Sequence, residues 1–300
     1  MTGAAATRSS SAMVLGFIGL GVMGSRMCAN LIGKSGLTVL VHDPVPAAMS
    51  GAAAAGGEPL GSAREVGQSA DVVFLSLPGI VQVEAVCGEL LSAPRPPRIV
   101  VDMSTSDVAR TRSLAGRLRD AGVTLADAPV ARTRQAAGDG TLLITVGADE
   151  TVFTQLRPLL SFMGTDIVHA GGVGNGQVMK ILNNMVLFIN MNALAEALTI
   201  GRAAGVDGET LFRTLAMGSA DSFALRRTAT ATMLPDTYPE QAFPADYAVK
   251  DLALALRLAG QSGIPAAAAQ QTMNLLQLTR DAGFGAQYYP VMIKLIDGRG

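Results

Sequence analysis

The sequence predicts an α/β doubly wound parallel sheet followed by an all-α domain entered through one long interdomain helix. Three observations carry that expectation. Short apolar runs alternate with helical patterns from Val14 to about His169. A glycine loop sits between the first run and the first helical pattern. After Gly176 the β-rich runs stop, and no glycine occurs from Gln177 to Ile200.

Each element follows from its own pattern. VLGFIG (14–19), LTVLVH (37–42), DVVFLSL (71–77), RIVVDM (98–103), VTLADA (123–128) and LLITVG (142–147) are almost continuously apolar. Strands covered on both faces read this way, and such strands belong to a parallel sheet. Helical segments over 23–34, 45–55, 62–69, 80–91 and 106–121 separate them. Strand–helix alternation implies βαβ units. From Gln177 one helix of roughly 25 residues is expected, about 38 Å long at 1.5 Å per residue. Further helices are expected near 207–217, 221–233, 246–262, 266–282 and 288–297, two of them punctuated by Gly260, Gly263 and Pro265. The domains expected are a disordered tail over 1–12, a dinucleotide-binding domain over 13–176 and a helical substrate and oligomerisation domain over 177–300.

Gly19, Gly21 and Gly24 have G-x-G-x-x-G spacing, after a strand and at the start of a helix. The first glycine makes a tight turn, the second admits a pyrophosphate, and the third lets helix and strand pack closely. The loop Gly19, Leu20, Gly21, Val22, Met23, Gly24 is thus a candidate cofactor site, with the helix N-terminus facing the phosphates. This makes the sheet Rossmann-type. Asp43 lies 24 residues past Gly19 at the end of the second strand, near the offset of an acid that binds the adenosine ribose. A carboxylate there accepts from both hydroxyls and repels a 2′-phosphate, so the expected cofactor is NAD rather than NADP. His42 is read as a packing or turn residue.

Composition narrows the function. Net charge is −1 and the sequence pI about 6.1, which gives no basic footprint for nucleic acid or an anionic membrane. Cys28 and Cys87 sit in apolar helical patterns and read as buried small hydrophobes. The only histidines are His42 and His169, without a second ligand at helical spacing, so no metal is expected. The tail MTGAAATRSSSA lacks the apolar stretch of a signal peptide. The run MVLFINMNALAEALTI (185–200) contains Asn190, Asn192 and Glu196, which suits a buried helix better than a membrane span. A soluble cytoplasmic protein is expected. Its apolar helical half points to a homodimer or homotetramer.

Lys180, Asn183 and Asn184 stand at i, i+3 and i+4 in VMKILNNMVLF, on one face of the long helix. An ammonium among such neighbours should be partly desolvated, with its pKa pushed down. That suits a group that exchanges a proton with a carbonyl oxygen as hydride is transferred.

At this point the chain resembles the β-hydroxyacid dehydrogenase family, in its 3-hydroxyisobutyrate dehydrogenase-like branch. The likeness runs from about Met13 to Asp297. Five motifs carry it: GFIGLGVMGSRMCANL (16–31), SLP (76–78), VDMST (101–105), GNGQVMKILNN (174–184) and KDLALAL (250–256). Members include 3-hydroxyisobutyrate dehydrogenase, tartronate semialdehyde reductase and sulfolactaldehyde reductase. The resemblance implies cofactor contacts at Leu77 and Pro78, Thr105 beside the nicotinamide ribose, and Lys250 near the nicotinamide end. It implies Lys180 as catalytic acid/base with Asn184 beside it. It implies an NAD-dependent oxidoreductase that interconverts a small 3-hydroxy acid with its semialdehyde.

One loop departs from the family. Ala131-Arg132-Thr133 follow DAPV where the family carries Ser-Gly-Gly, whose hydroxyl and backbone N–H groups bind the substrate carboxylate. The exchange removes glycine's conformational freedom and adds a guanidinium suited to a carboxylate or sulfonate. PVARTRQAAGDGTLL is similar to the corresponding loop of sulfolactaldehyde reductases. Arg132 is therefore expected as an anion clamp, with Ala131, Thr133, Asn183 and Asn184 around the substrate and Arg134 in solvent. Leu187 stands where the sulfolactaldehyde type carries a serine, so the acid stays open between carboxylate and sulfonate. An imine reductase, or a non-catalytic dinucleotide-binding interaction module, is the alternative; the retained Lys180 argues against both.

Overall fold

The structure, a computed structural model, describes residues 13–240 and 242–299. The expected tail over 1–12 lies outside the described residues. The chain divides into two compact units, one ending at Lys180 and the other beginning at Ile181.

In the first unit the strands are β1 (Val14–Ile18), β2 (Thr38–His42), β3 (Glu58–Pro59), β4 (Val72–Leu75), β5 (Ile99–Asp102), β6 (Thr124–Asp127), β7 (Val130–Ala131), β8 (Leu142–Gly147) and β9 (Gly164–Gly171). The helices are α1 (Gly24–Ser35), α2 (Pro46–Ala54), α3 (Ala63–Ser69), α4 (Ile80–Leu91), α5 (Val108–Asp120), α6 (Arg134–Asp139), α7 (Glu150–Leu160) and the start of α8 (Asn175–Ala203). The sheet order is β3-β2-β1-β4-β5-β6-β8-β7, with β9 on β8. Its first six strands are parallel in the order 3-2-1-4-5-6 by position along the sheet, the doubly wound arrangement.

Side-chain alternation explains the two covered faces. Phe17, Val72, Phe74 and Val101 pack on one side; Ile18, Val73, Leu75 and Val100 pack on the other. Both sets are buried, so the strands read as unbroken apolar runs.

One expectation is corrected in part. The run at 142–147 is not a simple parallel strand: β8 pairs antiparallel with β6 and β7 and parallel with β9. The two-residue β7 turns the chain back within the DAPVA stretch, which is too short to show a strand period. The short strand β3 is likewise too brief for a periodic signal.

In the second unit α8 continues and is followed by α9 (Gly208–Met217), a wide π turn (Ala224–Ala229) that runs into α10 (Thr230–Thr232), α11 (Ala245–Gln261), α12 (Ala267–Thr279) and α13 (Ile293–Ile296). The long helix has 29 residues, about 43 Å, and begins two residues before Gln177. α12 passes into a wide turn, Arg280–Phe284, and the helical backbone breaks at Gly283, which takes φ 90°, just past the expected end at 282. Tyr289 anchors the core of this unit, with its ring edge-on to Phe188 at 5.0 Å and to Phe243 at 5.9 Å.

Candidate active site

The glycine loop joins β1 to α1, at the point where the sheet order reverses between β1 and β4. Ligands of doubly wound sheets bind at that point. Gly19 adopts φ +95°, and a Cβ there would collide with the Ser76 carbonyl. A Cβ at Gly24 would run into the Gly19 carbonyl, whereas one at Gly21 would meet nothing within 4 Å. The third glycine therefore serves helix–strand packing, and the second leaves open space above the loop. Val22 is exposed, Met23 is half-buried and the Leu20 side chain is buried.

Asp43 sits just past β2 and closes this loop. Its Oδ2 accepts from the Leu20 N–H at 2.7 Å, and its Oδ1 accepts from the Val45 N–H at 2.8 Å. Each carboxylate oxygen keeps a second lone pair for a ribose hydroxyl. His42 is the last residue of β2, its Nδ1 3.0 Å from the Leu60 carbonyl oxygen.

Two further loops of the first unit follow the C-terminal ends of β4 and β5. In one, Leu77 is half-buried and Pro78 exposed. The Leu77 N–H donates to the Ser104 hydroxyl of the other loop at 2.9 Å. Thr105 lies in that second loop and is half-buried.

Asp102 and Asp127 face each other in register at the ends of β5 and β6, and both are fully buried. Asp102 accepts from the Ser104 N–H at 2.9 Å and the Ser106 hydroxyl at 2.8 Å. Asp127 accepts from the N–H groups of Gly174 at 2.6 Å and Gln177 at 2.8 Å, which are orphan donors at the start of α8. Burial pushes the Asp127 carboxyl up to about 6; its two backbone hydrogen bonds oppose the rise and nearby Asp102 adds to it. Arg112 completes the anchorage, donating to the Val173 carbonyl at 3.3 Å and to Asn175 Oδ1 at 3.0 Å. Lys180 is half-buried on the turn of α8 that this anchorage holds.

In the second unit Asn183 is exposed and Asn184 buried. The Asn183 amide donates to Asn184 Oδ1 at 3.1 Å. The Asn184 amide donates in turn to Asp251 Oδ2 at 2.7 Å. Asp251 is buried, and Lys250 Nζ lies 3.3 Å from its other oxygen. Lys250 also lies 5.5 Å from the centroid of the Tyr247 ring. Sequence reasoning quoted the KDLALAL motif but missed Asp251. Gln177 and Asp127 were missed as well. The signal for all three was a polar side chain in an otherwise apolar context, which demands a partner when buried.

The 131–133 turn behaves differently from expectation. Arg132 adopts φ +87°, a conformation natural to glycine, so the substitution has not removed the left-handed backbone. Its guanidinium donates to the Thr141 carbonyl at 2.6 Å and to the Thr165 hydroxyl at 3.2 Å, and it pairs with Asp166 at 2.7 Å. The Thr165 hydroxyl and the Arg132 guanidinium hold the Asp166 carboxyl below its ordinary value. The Thr133 hydroxyl caps α6, accepting from the Ala136 N–H at 3.2 Å. Ala131 is half-buried, and Arg134, expected in solvent, is half-buried at the start of α6. Both cysteines are buried, and burial pushes each thiol up to about 12, which leaves them as packing groups.

Both halves of the chain match known proteins. Residues 14–172 match the NAD binding domain of 6-phosphogluconate dehydrogenase. Residues 174–296 match the NAD-binding domain of NADP-dependent 3-hydroxyisobutyrate dehydrogenase. The chain is 34% identical to 2-(hydroxymethyl)glutarate dehydrogenase of Eubacterium barkeri over 284 residues, 94% of each chain. It is 33% identical to the NAD-dependent L-serine dehydrogenase of Pseudomonas aeruginosa, over 94% of this chain and 97% of the relative. The solved structure of Mycobacterium tuberculosis 3-hydroxyisobutyrate dehydrogenase with L-serine superposes with a TM-score of 0.88 at 31% identity, covering 95% of this chain and 99% of the other. With both halves matched, the chain belongs to the β-hydroxyacid dehydrogenase family as a 3-hydroxyisobutyrate dehydrogenase-like, NAD-dependent oxidoreductase acting on CH–OH groups.

Proposed function

We propose that the protein oxidises a small 3-hydroxy acid to its semialdehyde, or reduces the semialdehyde, with Lys180 as acid/base. The observation that carries the reading is Lys180 itself, a half-buried lysine on the anchored first turns of α8. The compounds in the relatives' names, 2-(hydroxymethyl)glutarate, L-serine and 3-hydroxyisobutyrate, each carry an alcohol on the carbon β to a carboxylate. That pattern is the expected core of this protein's substrate; a sulfonate in place of the carboxylate remains within the same charge class.

When bound, NAD supplies the hydride acceptor at its nicotinamide ring. Lys180 takes the hydroxyl proton in oxidation and returns it in reduction. Asn184, fixed by Asp251, orients the reacting oxygen, and Asn183 contributes a polar group to the acid. Thr105, Leu77 and Pro78 line the cofactor, and Asp43 binds its ribose and favours NAD over NADP. The acid group binds at the 131–133 turn. The pairing of Arg132 with Asp166 supports backbone N–H donors as the binding groups, with the guanidinium holding the turn in shape. We further infer a cytoplasmic homo-oligomer, consistent with an exposed apolar stripe of Met179, Leu182, Val186 and Ile200 along α8.

The test is NADH and NADPH formation with 3-hydroxyisobutyrate, L-serine, glycerate, 4-hydroxybutyrate and 2,3-dihydroxypropane-1-sulfonate. Turnover of β-hydroxy acids with NAD supports the reading. Turnover of none of them, with reduction of a cyclic imine instead, overturns it.

A further inference from the structure

Gln177 is fully buried, and its carboxamide is used at both ends. Oε1 accepts from the Ser106 N–H at 2.9 Å, and Nε2 donates to the Ser104 carbonyl at 2.8 Å. These two backbone groups flank Thr105. Asp102 holds the same loop through the Ser104 N–H and the Ser106 hydroxyl. Ser104 in turn receives the Leu77 N–H. The Gln177 backbone N–H is fixed by Asp127. Three residues further along α8 stands Lys180, and all of these groups lie within the first unit.

The chemistry of the contact is specific. One buried N–H and one buried C=O, on either side of Thr105, are matched by a side chain with one acceptor and one donor on the same carbon. A glutamate would set an oxygen against the Ser104 carbonyl unless it were protonated. A methionine would keep the volume but leave two buried backbone groups unpaired.

We infer that Gln177 is a positioning residue that sets the spacing between the Thr105 loop and the turn of α8 carrying Lys180, and so keeps proton transfer in register with the cofactor. The inference rests on the roles proposed above for Thr105 and Lys180. Its consequence is kinetic. A small misplacement of reacting groups costs on the order of 100-fold in rate while leaving much of the binding energy in place.

Gln177→Met, Gln177→Glu and Lys180→Ala are to be compared with the wild type in the reductive direction. The readouts are kcat, NADH affinity by fluorescence titration, melting temperature, and the isotope effect from NADH deuterated at the transferred position. For Gln177→Met, kcat should fall about 10- to 100-fold with NADH affinity within about threefold and a larger isotope effect. For Gln177→Glu, the ratio of its kcat to the wild-type value should rise as pH falls, because only the protonated acid donates to the Ser104 carbonyl. If Gln177→Met does not yield folded protein, this ratio, measured on one folded sample, decides alone. A wild-type kcat in both Gln177 variants overturns the inference. So does a drop in kcat that follows melting temperature, with isotope effect and pH ratio unchanged, which marks a merely structural role. An active Lys180→Ala removes the reading of Lys180 and this inference with it. An inactive Lys180→Ala beside unaltered Gln177 variants leaves that reading standing and overturns only the inference.

Discussion

The guanidinium of Arg132 lies 2.7 Å from the carboxylate of Asp166, across the edge formed by β7, β8 and β9. The same arginine has φ +87°. A side chain in that region strains the backbone by on the order of 1–3 kcal/mol and persists only where its surroundings hold it. Thr141, Thr165 and Asp166 do so here. The guanidinium is thus a brace for a turn whose backbone is glycine-like.

This arrangement predicts an order among variants. Arg132→Gly, which adopts the same φ freely, should keep kcat/KM for the acid within about threefold of wild type. Arg132→Val, which tolerates that φ poorly, should lose at least about tenfold, chiefly through a higher KM for the acid. Steady-state kinetics check both. A loss of about 10- to 150-fold in Arg132→Gly would assign the guanidinium to the acid group instead.

The glycine loop predicts a separation of stability from binding. Gly24→Ala drives a methyl into the Gly19 carbonyl and should destabilise the fold by about 1–3 kcal/mol. Gly21→Ala meets no protein atom and should unfold within about 0.5 kcal/mol of wild type, yet raise the KM for NAD. Denaturant unfolding and cofactor titration on the two variants measure this; equal effects on both quantities would contradict the loop's assignment.

Asp43 predicts cofactor choice. Its carboxylate holds the glycine loop through Leu20, and in the proposed role it faces the adenosine ribose, where it would repel a 2′-phosphate. Wild type should favour NAD over NADP by about 100-fold or more in kcat/KM, since like-charge juxtaposition costs several kcal/mol. Asp43→Ser should shrink that ratio. A ratio that survives the substitution would place the discrimination elsewhere.

Asp127 predicts a pH dependence of stability. Its ordinary value of 3.8 is raised to about 6 on folding, chiefly by burial. Between these values the folded protein keeps a proton that the unfolded chain has lost. The group's contribution to stability is therefore full below about pH 4 and is lost as pH rises through about 6, by on the order of 3 kcal/mol. Asp127→Asn does not titrate. The unfolding free energy of wild type relative to this variant should grow as pH falls from about 7 to 4. A flat difference would contradict a buried, proton-retaining carboxyl.

Much of this is legible in the sequence. The parallel strands declared themselves because both faces are buried, and Gly19, Gly21 and Gly24 because their spacing has one mechanical use. Lys180 and Asn184 stood out as polar groups in an apolar helix. Less legible were relationships that close over long stretches of chain. Nothing local in DAPV says that Asp127 reaches Gly174 and Gln177, or that Arg132 turns toward Asp166 on β9. Asp251 reads as an ordinary helix acid until Asn184 is found against it. Two-residue strands such as β3 and β7 fall below the length at which a period can be seen.

The most direct test of the central claim is turnover by Lys180→Ala on the best acid, with NADH affinity measured on the same sample. A group that carries the proton contributes about 100- to 10,000-fold to the rate. The account predicts a kcat loss of that size with cofactor affinity preserved. A variant within about tenfold of wild type in kcat would show that the proton moves through another group.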